Sequence, residues 1–369
     1  MIGTRPEAIK LAPVAHALSK RGLAPSIVLT GQHPALDLAD FGLRGFATQR
    51  LNCRGEEDPH RHVRAVTAAL LPRLARAPDL LVVQGDTSSA LGAALAGFTA
   101  AVPVGHVEAG LRSHDALLPW PEEEYRVAID AGAELLFAAT ETSAENLRRE
   151  NVPGEIHITG NTSIDAVLAL ESTLPPPRRS NLRPLLLVTA HRRESWDEGL
   201  SSIGAALLEL ASDADIEFVL HPNPYVAATM RKLIGGTAAI RLVEPCGHRE
   251  LVQRMREADL VLSDSGGIQE EAPALGIPLL VLREKTERPE GVAAGCALLV
   301  GTSTVGIVSE ARRLLENPEA LARMRQRSFP YGDGHAAERI AAIILEWLEK
   351  QIVTSARMSS GHPVRHQGS

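Results

Sequence analysis

Aromatic side chains make up only 3% of the 369 residues, which removes the stacking platforms that hold single-stranded nucleic acid. Cations are not in surplus either: a formal charge of −7 leaves no basic face for a phosphate backbone. The three cysteines, Cys53, Cys246 and Cys296, lie far apart without paired spacing. Neither a zinc site nor a disulfide framework is expected from them, and a reducing cytoplasm is the expected compartment. No apolar run reaches the ~20 residues of a membrane span, and the N-terminus has no charged-then-apolar leader pattern. What remains is a 44% hydrophobic chain, too long for one ordinary core and well suited to two. An anionic ligand must then be met by a local cluster of cations.

Short apolar runs alternate with helical patterns throughout, the signature of mostly parallel sheets covered on both faces. In the first half the runs are 26–30, 79–84, 102–106, 134–138 and 155–158, with helices beginning near Pro6, Pro59, Thr87, Pro121, Thr142 and Thr162. Residues 172–184 carry four prolines and no periodic apolar face, and read as a linker. The alternation then restarts at 185–190, 216–220, 238–242, 260–263 and 278–282. The expected organisation is a Rossmann-like domain over 1–171, a second over 185–335, a terminal helix over 336–352 and a frayed tail from 353 to 369. Ligands of such a pair bind in the cleft between the carboxyl ends of the strands.

Several motifs fall on that rim. Asp264-Ser265-Gly266-Gly267 follows an apolar run and opens a helix, which makes an anion site from free N–H groups and the helix dipole. Glu271, about one and a half turns further on, is placed to accept hydrogen bonds from a ribose. Gly3-Thr4-Arg5-Pro6-Glu7 is a second turn of this kind, with Arg5 aimed at a phosphate. Asp86, Glu108 and Glu122 sit near successive strand ends; crowded carboxylates raise at least one pKa and leave an acid beside a base. From the second half, His191, Arg192 and His221 end strands, and Arg288 stands at a helix start suited to a pyrophosphate. The cation cluster is therefore Arg5, Lys10, Arg112, His191, Arg192 and Arg288, around three carboxylates. Each motif also has a plainer reading as a cap, a turn or a solvated charge.

Taken in order, these segments resemble one family. Gly3-Thr4-Arg5-Pro6-Glu7-Ala8-Ile9-Lys10, Gly85-Asp86-Thr87, Gly105-His106-Val107-Glu108-Ala109-Gly110-Leu111-Arg112 and Pro119-Trp120-Pro121-Glu122-Glu123 are similar to the non-hydrolysing UDP-N-acetylglucosamine 2-epimerases. So are Gly160-Asn161-Thr162, His191-Arg192-Arg193-Glu194, the run from 263 to 273 and Thr286-Glu287-Arg288-Pro289-Glu290. The resemblance implies a GT-B arrangement of two Rossmann-like domains, with the terminal helix returning to the first. It implies interconversion of UDP-N-acetylglucosamine and UDP-N-acetylmannosamine by loss and return of UDP through 2-acetamidoglucal, with no metal and no redox cofactor. It makes Asp86, Glu108, Glu122 and His191 the catalytic residues. The UDP-sugar contacts are then Arg5, Lys10, Arg112, Arg192, His221, Ser265, Gly266, Gly267, Glu271 and Arg288. A homodimer is expected, with no nucleic-acid or membrane partner.

The chain departs from the family pattern in three places. Pro34-Ala35-Leu36-Asp37 follows Gln32-His33 where an arginine and a longer polar helix are usual, which leaves activation by a second substrate molecule open. The uracil-side stretch around Cys246 lacks aromatics, leaving His248 and Leu251 to pack there. Only Met1 and Ile2 precede Gly3, so a first strand is expected to be missing, the phosphate turn to be loose and the natural start to lie upstream. The rival readings are an epimerase of a modified UDP-sugar (a uronic acid or diacetamido sugar), a GT-B glycosyltransferase and a nucleotide-sugar sensor. Neither of the last two needs three carboxylates with a histidine.

Overall fold

The computed structural model describes residues 1–34, 36–75, 78–116, 118–178, 183–190 and 198–360, with side chains described to residue 354. Helix α1 (Arg5–Lys20) starts where the sequence supplies a capping box: Thr4 Oγ1 accepts the Glu7 N–H, and the Glu7 carboxylate accepts the Thr4 N–H at 2.6 Å. Strands β1 (Ile27–Leu29) and β2 (Thr48–Arg50) pair in parallel, and α2 (Pro59–Leu70) follows. Then come β3 (Leu81–Gln84), α3 (Ser88–Thr99), β4 (Val104–Ala109), α4 (Glu122–Asp130), β5 (Leu135–Ala138), α5 (Glu141–Arg149), β6 (Glu155–Ile158) and α6 (Thr162–Glu171). β3 to β6 form a parallel sheet in sequence order. β4 and β5 are buried along their whole length, as strands covered by helices on both faces must be.

Residues Met1 and Ile2 lie between the two sheets of this half. The Ile2 N–H donates to Val28 O at 2.9 Å, Thr30 N–H donates to Ile2 O at 3.0 Å, and the terminal ammonium donates to Val82 O at 2.8 Å. This is the place, flanked by β1 and β3, that a first strand takes in a doubly wound sheet. The turn after it is tied down rather than loose as the sequence suggests. Glu7 Oε2 accepts the N–H groups of Gly3 and Thr4, and its Oε1 accepts the Thr87 hydroxyl at 2.7 Å.

The second half contains β7 (Leu185–Thr189), α7 (Glu198–Leu210), β8 (Asp215–Val219), α8 (Pro224–Ile234), β9 (Ile240–Val243), α9 (His248–Glu257), β10 (Leu260–Ser263), α10 (Gly266–Leu275), β11 (Leu279–Val281), α11 (Pro289–Ala293), β12 (Ala297–Leu299), α12 (Thr304–Leu315) and α13 (Pro318–Met324). Its six strands are all parallel in the order β12-β11-β10-β7-β8-β9, which reverses at β7 and β10. Ligand crevices open at such a reversal. The last helix, α14 (Ala336–Ser360), runs beyond the residue 352 expected from sequence. Its Ala337, Ile340, Ala341, Ile344 and Trp347 are buried in the core of the first half with Leu11, Val14 and Phe137. Asp165 of α6 accepts the N–H groups of Ala336 and Ala337, so the returning helix starts on a fixed anchor. Among the described residues no helix is long and apolar enough to cross a membrane.

Candidate active site

The ends of β3, β4 and β10 and the start of α1 place charged side chains where the two halves meet. Glu108 is the fifth residue of β4 and has φ 70, with a register shift against β5 between Val107 and Ala109. A non-glycine residue held in the left-handed region costs on the order of 1–3 kcal/mol and persists only where its surroundings fix it. Those surroundings are four donors. Lys10 Nζ, Gln84 Nε2 and Asn161 Nδ2 donate to Glu108 Oε2, the two amides at 3.1 Å, and Arg288 Nη2 donates to Oε1 at 3.2 Å.

Arg288 and Lys10 are shared with a second carboxylate, Glu270 of α10. Arg288 Nε donates to Glu270 Oε1 at 2.6 Å, and Lys10 Nζ lies 2.9 Å from Oε2. Arg288 Nη1 bonds Glu287, whose other oxygen accepts from Arg283 at 2.9 Å. All six side chains are buried, and Lys10 and Glu108 come from the first half while the other four come from the second. Burial, then the charge of Glu270, push the Glu108 carboxyl above the usual carboxylate range against the pull of Lys10 and Arg288. Burial would raise Glu270 too, but its two cations hold it below that range. Burial disfavours the Lys10 ammonium, and the two carboxylates more than restore it. Asn161 N–H to Tyr331 O at 2.7 Å and Thr140 Oγ1 to Glu290 at 2.5 Å also join the halves.

Asp86 follows Gly85, which has φ +67, and accepts a bond from Arg126 of α4. Arg126 also donates to Glu123 at 2.8 Å, and Glu123 accepts the N–H groups of Ser113 and His114. Below this turn the His106 ring lies between the Gly85 carbonyl, 2.9 Å from Nε2, and Asp130, 2.6 Å from Nδ1. Glu122 is the first residue of α4 and is half-buried.

The sequence placed Asp86, Glu108 and Glu122 together in mutual repulsion. In the structure the carboxylate that raises Glu108 is Glu270, while Asp86 is drawn to Arg126. Arg112 does not join the cation cluster: its guanidinium is buried and held by Glu150, at 2.7 and 2.5 Å, and by Asp130 at 2.8 Å. Arg5, at the exposed first turn of α1, adds to burial in depressing His33. His221 Nδ1 accepts the Asn223 N–H at 3.0 Å, the role of a turn residue before α8. Ser265 stands at the N-cap of α10 without a side-chain capping bond, and its N–H donates to Ser263 Oγ. A side chain on Gly266 would come within 2.8 Å of the Arg288 guanidinium, whereas one on Gly267 would meet nothing. Glu271 is engaged by His248 at 3.0 and 3.1 Å, and that pair raises the His248 imidazole despite its burial. His191 and Arg192 lie outside the described residues. No group of three acidic, histidine or cysteine side chains among the described residues is arranged to hold a metal ion.

Glu270, Gln84 and Asn161 are the partners that sequence reasoning passed over. All three stand inside or beside the quoted motifs. Of the adjacent Glu270 and Glu271, roughly 100° apart on a helix, the sequence reading took only the second.

The family profile described as UDP-N-acetylglucosamine 2-epimerase matches residues 16–345. The chain belongs to that family. A UDP-N-acetylglucosamine 2-epimerase of Yersinia pestis is 41% identical over 362 residues, covering 92% of this chain and 96% of its own. The UDP-GlcNAc 2-epimerase of Neisseria meningitidis, solved with UDP-GlcNAc bound, superposes with a TM-score of 0.87 at 38% identity, over 93% of this chain and 98% of that one. The Methanocaldococcus jannaschii UDP-GlcNAc 2-epimerase, in complex with UDP-GlcNAc and UDP, gives 0.80 at 32%, with the same coverage. The two Rossmann-like halves of this 2-epimerase family member stand in the GT-B arrangement. Lys10, Glu108, Glu270 and Arg288 lie on its interdomain seam.

Proposed function

We propose that this chain interconverts UDP-N-acetylglucosamine and UDP-N-acetylmannosamine. Family membership supports the reaction class, and the buried Lys10–Glu108–Glu270–Arg288 array is the observation that carries the assignment to this site. It sets a carboxylate for the sugar directly beside cations for a diphosphate. The half over 1–171 then takes the sugar, that over 185–335 the nucleotide, and the enzyme works as a cytoplasmic homodimer.

The proton on carbon 2 is hardly acidic, so departure of UDP must come with its removal. The carbon 1–oxygen bond breaks, the electron pair leaves with UDP, and a carboxylate takes the carbon 2 proton to give 2-acetamidoglucal. A proton then returns to carbon 2 on the opposite face as a UDP oxygen adds back to carbon 1. Negative Asp86, Glu108 and Glu122 favour positive character at carbon 1 and supply the two proton carriers. Arg5, Lys10, His191, Arg192 and Arg288, with the N–H groups after Ser265, hold the leaving diphosphate, and Glu271 the ribose. Incubation with UDP-N-acetylglucosamine should yield the manno epimer by NMR; folded protein that binds UDP but forms no epimer contradicts the proposal.

The close approach of Gly266 to Arg288 gives a further test. Gly266→Ala must displace the guanidinium, and UDP affinity should fall by about 1–2 kcal/mol, the scale of overpacking and a weakened charged hydrogen bond. Gly267→Ala should bind UDP within a few-fold of the parent. Equal affinities by calorimetry would show that Arg288 is not placed by this contact.

A further inference from the structure

The six buried side chains at the seam carry three positive charges, on Lys10, Arg283 and Arg288, and three negative ones, on Glu108, Glu270 and Glu287. Among the described residues these six charges balance without any ligand. The functional reading above, on which this inference rests, brings a diphosphate with two negative charges against Lys10 and Arg288. Arg5, His191, Arg192 and the N–H groups after Ser265 share that charge, but a buried carboxylate whose own cations are drawn to the ligand is left uncompensated, and the usual relief is a proton.

Two carboxylates touch both cations, and they differ in what else holds them. Glu108 keeps the amide N–H groups of Gln84 and Asn161, which favour its ionised oxygens. Among the described residues, the hydrogen bonds to Glu270 come from Lys10 and Arg288 alone. When those two turn to a diphosphate, Glu270 loses everything that keeps it charged. We propose that binding of a UDP-sugar is coupled to uptake of one proton from solvent by Glu270, a positioning residue that thereby leaves Glu108 ionised beside the sugar. Neutral Glu270 also removes the like charge that pushes the Glu108 carboxyl upward.

Among the described residues the groups around Glu270 do not offer another carrier, and any proton taken by His191, which the functional reading puts on the diphosphate, would still be taken up in Glu270→Gln. Lys10 faces it from α1, Glu108 from β4 and Arg288 from the loop before α11, and Glu290 of α11 accepts the Thr140 hydroxyl. Tyr331, before α14, donates to Arg288 O at 2.9 Å, and burial pushes its hydroxyl far up, so it stays neutral. From α6, which packs on α10, Thr162 and Ser163 are uncharged and Asp165 is turned to the start of α14. Glu270 starts below the usual carboxylate range and ends above it. Affinity should thus be constant below its starting pKa, fall by up to about tenfold per pH unit between the two values, and level off above the second.

The test is calorimetry of UDP-N-acetylglucosamine binding at several pH values between about 4.5 and 7 in buffers of different protonation enthalpy, where uptake of up to one proton should appear between the starting and the bound pKa of Glu270. This diphosphate diester has no group of its own titrating there, and exchange between its epimers moves no net proton. Glu270→Gln should bind the sugar nucleotide with uptake lower by the share that Glu270 carries, and Glu270→Asp should restore it. Infrared difference spectra of the intact protein should show a protonated-carboxyl band on binding, shifted in Glu270→Asp; this reading does not depend on the glutamine variant folding. Binding without uptake in the parent, uptake unchanged in Glu270→Gln, or no such band overturns the inference while leaving the functional reading intact. No binding at all would overturn both.

Discussion

Replacing Glu108 by glutamine should lower turnover by roughly two to four powers of ten, the scale of a lost acid–base group, while UDP binding survives far better. The amide keeps the shape of the carboxylate and can still accept from Gln84 or Asn161, but it can carry no proton. Lys10 and Arg288 retain Glu270 as a counter-ion, so the cation pair stays in place. Asp86→Asn and Glu122→Gln should act in the same direction. Asp86→Asn also loosens Arg126, which retains Glu123, so its fold should persist. Steady-state rates beside UDP titrations separate the two effects. Near-normal turnover in all three variants would make these carboxylates structural.

Arg288→Ala should weaken UDP by about 2–3 kcal/mol, the worth of charge-assisted hydrogen bonds. A second loss is expected with it. The guanidinium is the shared partner of Glu108, Glu270 and Glu287, and breaking a buried ion pair from one side costs about 3–5 kcal/mol of stability. Arg288→Lys retains the charge without the fork and should fall between, with melting closer to the parent than UDP affinity. Urea unfolding and calorimetry read the two quantities independently. UDP affinity unchanged in Arg288→Ala would show that the residue serves only the seam.

The elements legible from sequence were those whose burial leaves a pattern. The runs that became β7 and β10 are nearly unbroken Leu and Val, as strands covered on both faces require. β2, Thr48–Arg50, is fully exposed and polar, and β12 is three residues long, so neither left a signal. The end of α14 was set too early because the chain turns polar from Thr354, yet the helix continues.

At the site, position was legible and pairing was not. The motifs placed Lys10, Glu108 and Arg288 on one rim, and the structure brings those three together. Arg112 looked equivalent to Arg288 in sequence, but Asp130 and Glu150, distant in the chain, claim it. Glu270 was hidden beside Glu271 because one residue of helical rotation decides which of the two faces Lys10. Such partners are set by tertiary approach, which local spacing does not encode.

The central claim, that UDP leaves and returns while carbon 2 exchanges its proton through these carboxylates, is most directly tested by running the reaction in heavy water. UDP-N-acetylglucosamine is incubated with the protein and EDTA, with no nicotinamide added, and the sugar is followed by NMR. Solvent deuterium should enter carbon 2 as the manno epimer accumulates. Epimerised product that carries no solvent label at carbon 2 would contradict the account.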